Sequence, residues 1–304
     1  MHQLPAHPAG NGADRPTPPA DPASAPLAET LAVARAHFGG HDVLATRPHA
    51  QPDWLTAGDV IAPGPILEDL LARATRATGT ERADIGGTLL AEAYAWGLAV
   101  RAVGTLLFDD RIPAMAPHEV QLEFAAGDAT ITGIAFAGGA YGVAGDRRTG
   151  DPSLVVMPDE DALLERLHEE LRAHLAPLLE TVAAASGRPL RALWRSAGDR
   201  LGGAFLWLGE VIGMRDRAWD LGTRCMNGAG PLAVGAGFRV IEHAGIAEPT
   251  RNRRGCCLIW RAEGKETCFT CPLMSDDERR DRLTARASAA APEPLDVSCQ
   301  EDLT

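Results

Sequence analysis

The stretch DIGGTLLAEAYAWGLAVRAVGTLLF, residues 84–108, decides the fold. It is nearly all apolar rather than apolar along one stripe, so it predicts a long helix at the centre of a core. Glu92 and Arg101 interrupt it and leave eight uncharged residues between them. A bilayer span needs roughly 20 apolar residues, so this helix is read as core and no membrane span is expected.

Working outward, LAETLAVARAHF (27–38) and PILEDLLARATRA (65–77) carry apolar residues at helical spacing, with Pro65 suited to a first turn. After the central helix, Val120, Leu122 and Phe124 alternate with Gln121 and Glu123. Gly127-Asp128 suits a two-residue turn, and Ile131 to Phe136 reads as the returning strand, with a phase shift at Gly133 that predicts a bulge. SLVVMP (153–158) reads as a third strand, and the glycines of AGGAYGVAG (137–145) as a loop. Two further helices are expected. In 160–184 the stripe is Leu164, Leu167, Leu171, Leu175 and Leu178, with Pro177 expected to kink or end it. In 190–214 it is Leu193, Ala197, Leu201, Ala204, Leu208 and Val211.

The fold class is therefore α+β, predominantly α-helical with a small antiparallel β-sheet, followed by a short C-terminal cysteine-rich segment. Residues 1–26 read as a disordered Pro/Ala-rich leader, 27–250 as the helical body, and 251–274 as the cysteine segment. Residues 275–304 read as a charged, mostly disordered tail with a short helix around 276–286.

Composition sets limits. The chain has 304 residues, 45% of them hydrophobic, and a formal net charge of −12. That balance speaks against a general nucleic-acid binder, which needs basic surface to displace counterions. The N-terminus has neither a basic start nor an apolar h-region, so the expected location is the cytoplasm. Clustered cysteines in that reducing compartment are metal ligands or redox groups more often than structural disulfides.

Four of the six cysteines fall in RRGCCLIWRAEGKETCFTCP, residues 253–272. A disulfide pair, a zinc ion and an iron–sulfur cluster are all chemically possible. The spacing is Cys256-Cys257, ten residues, then Cys268-x-x-Cys271. The second half is a metal knuckle; the first departs from the Cys-x2–4-Cys pairing of zinc sites. Adjacent cysteines diverge in extended chain, and gripping one tetrahedral ion with both needs a special turn. A two-iron cluster spreads its four ligand positions and tolerates the divergence better. Arg251, Arg253, Arg254 and Arg261 surround the pair; such cations stabilise a reduced cluster or meet an anionic substrate. Trp260 is expected to pack over whatever is bound.

Other motifs are weaker. NGAGPLAVGAG (227–237) follows no clear strand and reads as a loop with a helix start. His168 and His174, six residues apart, read as a solvated helix face, and His243 as a helical histidine without a metal role. Asp109-Asp110 reads as a polar turn, Cys225 as a buried thiol and Cys299 as a free thiol in the tail.

The cysteine spacing, with Pro272 after it and Arg254 and Gly264 in place, resembles the FhuF-like ferric siderophore reductases. The helix PLRALWRSAGDRLGGAFLWLG (189–209) is similar to the Leu-Trp helix that precedes the signature there. Where that family is expected to carry an asparagine-like residue, this chain has Arg195-Ser196. The resemblance implies a [2Fe–2S] cluster on Cys256, Cys257, Cys268 and Cys271. It further implies one-electron reduction of a ferric siderophore, with electrons from a ferredoxin or flavoprotein reductase and release of Fe(II). Arg253, Arg254 and Arg261 are the candidates for substrate guidance or potential tuning. Two other readings stay open: a structural-zinc binding or scaffold protein, and an iron–sulfur redox or iron sensor without turnover.

Overall fold

The structure, a computed structural model, describes residues 25–37, 54–233, 237–243, 245–268 and 270–289. Most of the expected leader, the tail beyond 289 and Cys299 lie outside the described residues. The architecture is α+β and mainly helical, with small sheets of two or three strands.

Helix α4 (Ala83–Asp109) is the hub. From Ile85 to Phe108 every residue but Ala93 is buried, which accounts for a sequence apolar on all sides. α1 (Pro26–His37), α3 (Pro65–Arg76), α5 (Glu160–Ser186) and α6 (Leu190–Val211) pack around it. A short helix α2 (Ala57–Ile61) is capped by Thr56, whose hydroxyl accepts the Asp59 N–H at 3.1 Å. α5 is capped by Asp159 and ends on Gly187 in the left-handed region. Of the two effects expected of Pro177, a kink or an end, the helix does not end there. Leu171, Leu175, Leu178, Leu179 and Val182 stay buried on both sides of the proline, so packing holds the helix through the missing hydrogen bond. No helix among the described residues is long and apolar enough to cross a bilayer.

Strands β1 (Leu55–Thr56), β3 (Val120–Phe124) and β4 (Ile131–Phe136) form one antiparallel sheet in the order β1-β3-β4. Glu123 pairs with Gly133 and Phe124 with Ile131, so Thr132 is the extra residue beside the expected bulge. The segment expected to be a glycine loop contains β5 (Ala140–Val143), which pairs antiparallel with β2 (Arg111–Pro113) and parallel with β6 (Leu154–Met157). Its glycines answer to crowding: a Cβ on Gly139 would lie 2.5 Å from the Ser153 carbonyl oxygen. β6 thus joins a second sheet rather than extending the β3–β4 hairpin.

Like α2, β1, β2 and β5, the helix α7 (Arg215–Met226) and the hairpin of β7 (Phe238–His243) with β8 (Ile246–Arg251) are additional to the sequence reading. His243 therefore sits in a strand, buried, with Nε2 2.7 Å from Glu248 Oε2. His168 and His174 are also not solvated. His168 is half-buried and its Nε2 donates to the Cys225 carbonyl at 2.7 Å. His174 is fully buried. Its Nδ1 is 2.6 Å from the Met115 carbonyl, which can only accept, so Nε2 accepts from Tyr94 Oη at 2.8 Å.

That pairing fixes a neutral imidazole, and burial pushes the His174 pKa down to about 4 from 6.5. The folded state resists a proton that the unfolded state accepts. The stabilisation is complete above pH 6.5 and is lost as pH falls from 6.5 towards 4, by about 3 kcal/mol. Urea unfolding at pH 7.5 and 4.5 should show a smaller pH-dependent loss in His174→Gln than in the parent chain.

Candidate metal centre

α6 forms the floor beneath the cysteine segment. Its glycines let other chain come close: a Cβ on Gly198 would sit 2.1 Å from the Leu232 carbonyl oxygen, and one on Gly203 2.8 Å from Arg251 Nη1. The approach is also tight in reverse. A Cβ on Gly255 would lie 2.6–2.8 Å from Ser196 Oγ, N and Cα, so only glycine fits directly before Cys256.

The segment is fastened by one buried carboxylate. Asp199 accepts the Arg254 N–H at 3.1 Å and the Gly255 N–H at 2.7 Å, and Arg253 Nε lies 3.5 Å away. Burial raises the Asp199 pKa, against the opposing pull of Arg253 and the backbone donors. Arg253 also donates Nη2 to Glu92 Oε1 at 3.2 Å, and Glu92 accepts Arg200 Nε at 3.1 Å. Glu92, Asp199, Arg200 and Arg253 are each no more than 5% exposed. They form a four-membered ionic network joining α4, α6 and the cysteine segment. Although burial opposes ionisation of Glu92, Arg200 and Arg253 hold its pKa below the usual carboxylate value.

Cys257 lies in an apolar cluster with Leu258, Ile259 and two α4 residues, Ile85 and Leu89, with Cys256 and Cys268 packed against it. Leu258, directly after the cysteine pair, is left-handed at φ 64°, a costly conformation for a non-glycine residue. The chain thus turns directly after the cysteine pair. The 3-10 turn Ile259–Arg261 and Gly264 (φ 74°) then fold the spacer back. The knuckle closes with the Cys271 N–H donating to the Cys268 carbonyl at 2.9 Å. Cys257 and Cys271 are buried, Cys256 and Cys268 half-buried, and none of the four is in a disulfide. A hydrogen bond with Cys268 raises the Cys271 thiol pKa first, burial adds to it, and the charges of Cys268 and Cys256 push the same way. Cys268 and Cys256 are thus both within electrostatic reach of Cys271. Arg253 Nη1 lies 3.6 Å from Cys268 Sγ.

Arginines from outside the segment hold its carbonyls. Arg188, in the α5–α6 turn, donates to Cys256 O at 2.7 Å. Arg279 and Arg282, from α8 (Asp276–Ala289), donate to Cys271 O at 2.7 Å and Thr267 O at 2.8 Å. Of the three arginines singled out from sequence, Arg253 points at a thiol. Arg254 contributes its backbone N–H to Asp199, with its side chain exposed, and Arg261 stacks over the Trp260 ring at 5.2 Å. Trp260, expected over the centre, is 37% exposed and lies outside the apolar cluster around Cys257. Glu92, Arg188, Asp199, Arg200, Arg279 and Arg282 were not found from sequence. Only Glu92 carried a signal, as an acid inside an apolar helix.

Among the described residues no three His, Cys, Asp or Glu side chains group as a single ion would require. Two thiol pairs, each with one buried and one half-buried member, and an arginine N–H aimed at one sulfur, suit a two-iron centre, whose ligands divide between two metals. Cys225 takes no part: it is buried in the main core, and burial pushes its thiol up to about 12.

Removing one member of a buried ion network strands the others, at a cost of about 3–5 kcal/mol. Asp199→Asn should lose stability of that order in urea unfolding, with the cysteine segment becoming accessible to thiol reagents.

A search of the curated proteins finds no match to this chain. Residues 253–273 match the family model described as the FhuF 2Fe-2S C-terminal domain. The match spans all four clustered cysteines and Arg253, and it identifies the cysteine segment as a FhuF-type domain for a [2Fe–2S] cluster.

Proposed function

We infer that the chain is an iron–sulfur ferric siderophore reductase, with Cys256, Cys257, Cys268 and Cys271 as the cluster ligands. The observation that carries the reading is the packing of Cys256, Cys257 and Cys268 together against Ile85 and Leu89 of α4, with Arg253 Nη1 3.6 Å from Cys268 Sγ. When bound, the cluster supplies one electron, drawn from a reduced ferredoxin or flavoprotein, to a ferric chelate. Hard oxygen ligands hold ferric iron far more firmly than ferrous iron. One electron therefore suffices to convert Fe(III)–chelate into Fe(II) and free chelator, and no group transfer is needed.

The chain's own residues divide the remaining work. Cys257 and Cys271 sit in the water-excluded half, and Cys256 and Cys268 at the half that a partner or chelate can approach. Arg253 places positive charge at the Cys268 sulfur, which favours the more negative, reduced state. Glu92 and Asp199 keep that arginine in place and balance it. Arg254 and Arg261, exposed beside the site, are the candidates for meeting an anionic part of the substrate. The setting proposed for this reaction is the cytoplasm.

Visible absorption of anaerobically purified protein tests the reading. Thiolate-to-iron bands should bleach with dithionite and return on addition of a ferric hydroxamate. A colourless protein with stoichiometric zinc overturns it in favour of a binding module. Bands that bleach and recover with no ferric chelate overturn turnover and leave a sensor.

A further inference from the structure

The matched segment ends at residue 273, yet the chain builds one more element against it. Ser275 Oγ accepts the Glu278 N–H at 3.1 Å and so starts α8. Most of α8 faces solvent, but Arg279 and Leu283, four residues apart on one face, are 4% and 6% exposed. The helix packs on β7, where Asp276 bonds both Arg239 and Arg279 at 2.7 Å. Arg279 Nη2 donates to Cys271 O at 2.7 Å and lies 3.5 Å from Met274 O. Arg282 Nη1 donates to Thr267 O, one residue before Cys268. The knuckle is thus gripped on both sides by a helix that the cysteine spacing does not require.

The geometry points to Arg279 as a positioning and potential-setting residue for the cluster, acting through the Cys271 backbone. Its guanidinium is buried against the peptide that carries one proposed ligand. Asp276, its exposed carboxylate partner, is shared with Arg239, so among the described residues one carboxylate serves two arginines and a net positive charge stays beside Cys271. A cation held there stabilises the electron-loaded cluster, and the two carbonyl bonds fix the turn that presents Cys271. Arg188 does the equivalent for the first cysteine pair through Cys256 O, without α8.

The inference rests on the ligand assignment above, and the experiment separates the two. Full-length holoprotein is compared with Arg279→Gln, Arg279→Lys, Arg280→Gln and Cys271→Ser. Iron release to a colorimetric ferrous chelator and the midpoint potential from an optical redox titration are read for each. Arg280 is exposed and, among the described residues, pairs with Asp277 of the same helix. Arg279→Gln should hold iron roughly 10–100-fold more weakly and titrate at a lower potential than the parent. Arg279→Lys keeps the charge but not the fork, so it should lose iron faster while keeping the parent potential. Arg280→Gln should match the parent in both. Parent-like iron retention and potential in Arg279→Gln overturn the inference, as does equal damage in Arg280→Gln. If Arg279→Gln emerges colourless, a coloured Arg279→Lys supports the inference and a colourless one overturns it. A parent-like spectrum in Cys271→Ser overturns the ligand assignment and this inference together. An altered Cys271→Ser spectrum beside a parent-like Arg279→Gln overturns this inference alone.

Discussion

Four buried charges meet at one point of this molecule: Glu92 on α4, Asp199 and Arg200 on α6, and Arg253 at the entrance to the cysteine segment. Burying any one alone would cost several kcal/mol. Together they sum to zero charge, and the remaining acceptor capacity of Asp199 is taken by the backbone N–H groups of Arg254 and Gly255. Moving the segment away from α6 would strand two carboxylates and two guanidinium groups in a dry interior. The position of Cys256 and Cys257 is therefore set by electrostatics before any metal binds.

Close packing works to the same end. An ionic network fixes a segment only if the backbones come near enough for short bonds, and side chains ordinarily prevent this. At Gly255 against Ser196, and at Gly198 against Leu232, the missing Cβ removes the barrier. The segment then needs to reverse within two residues of the cysteine pair, and Leu258 does so at φ 64°. A β-branched or bulky residue held left-handed is unfavourable by itself. Burial of Leu258 with Ile85 and Leu89 helps offset that cost.

Much of the scaffold was legible because its signals are local. The run 84–108 is apolar on every face, and a helix with no polar side has to be central. The leucine stripe of α5 and the alternation at 120–124 report their own periods in the same way. The cysteine spacing is local too, so the ligand candidates were visible. What stayed hidden depends on partners far along the chain. His174 stands among Arg172, Ala173 and Glu169–Glu170 and reads as surface until Tyr94 and Met115 close over it. α7, RDRAWDLGTRCM, is too polar to announce a helix, and β7 and β8 mix charged and apolar residues without clean alternation. Glu92 was visible as an anomaly, but its meaning required Arg200 and Arg253. Asp199 had no signal, because an aspartate in a helix looks the same whether it faces water or caps another segment's backbone.

The cysteine segment cannot be regarded as a self-contained metal knuckle. A zinc knuckle of this length draws its order from the ion. Here the carbonyls of Cys256, Thr267 and Cys271 are bound by arginines from the α5–α6 turn and from α8, and the N–H groups before Cys256 by α6. Its internal bonds, such as that from Cys271 N–H to Cys268 O, close local turns, and these outside bonds tie the turns to the body. A segment held this way resists reorganisation, since the cysteine peptides are tied to helices as well as to each other. Rigidity of that kind suits a group that gains and loses an electron repeatedly without losing its metal. It ties the 21-residue match to a 2Fe-2S domain to the helical body around it.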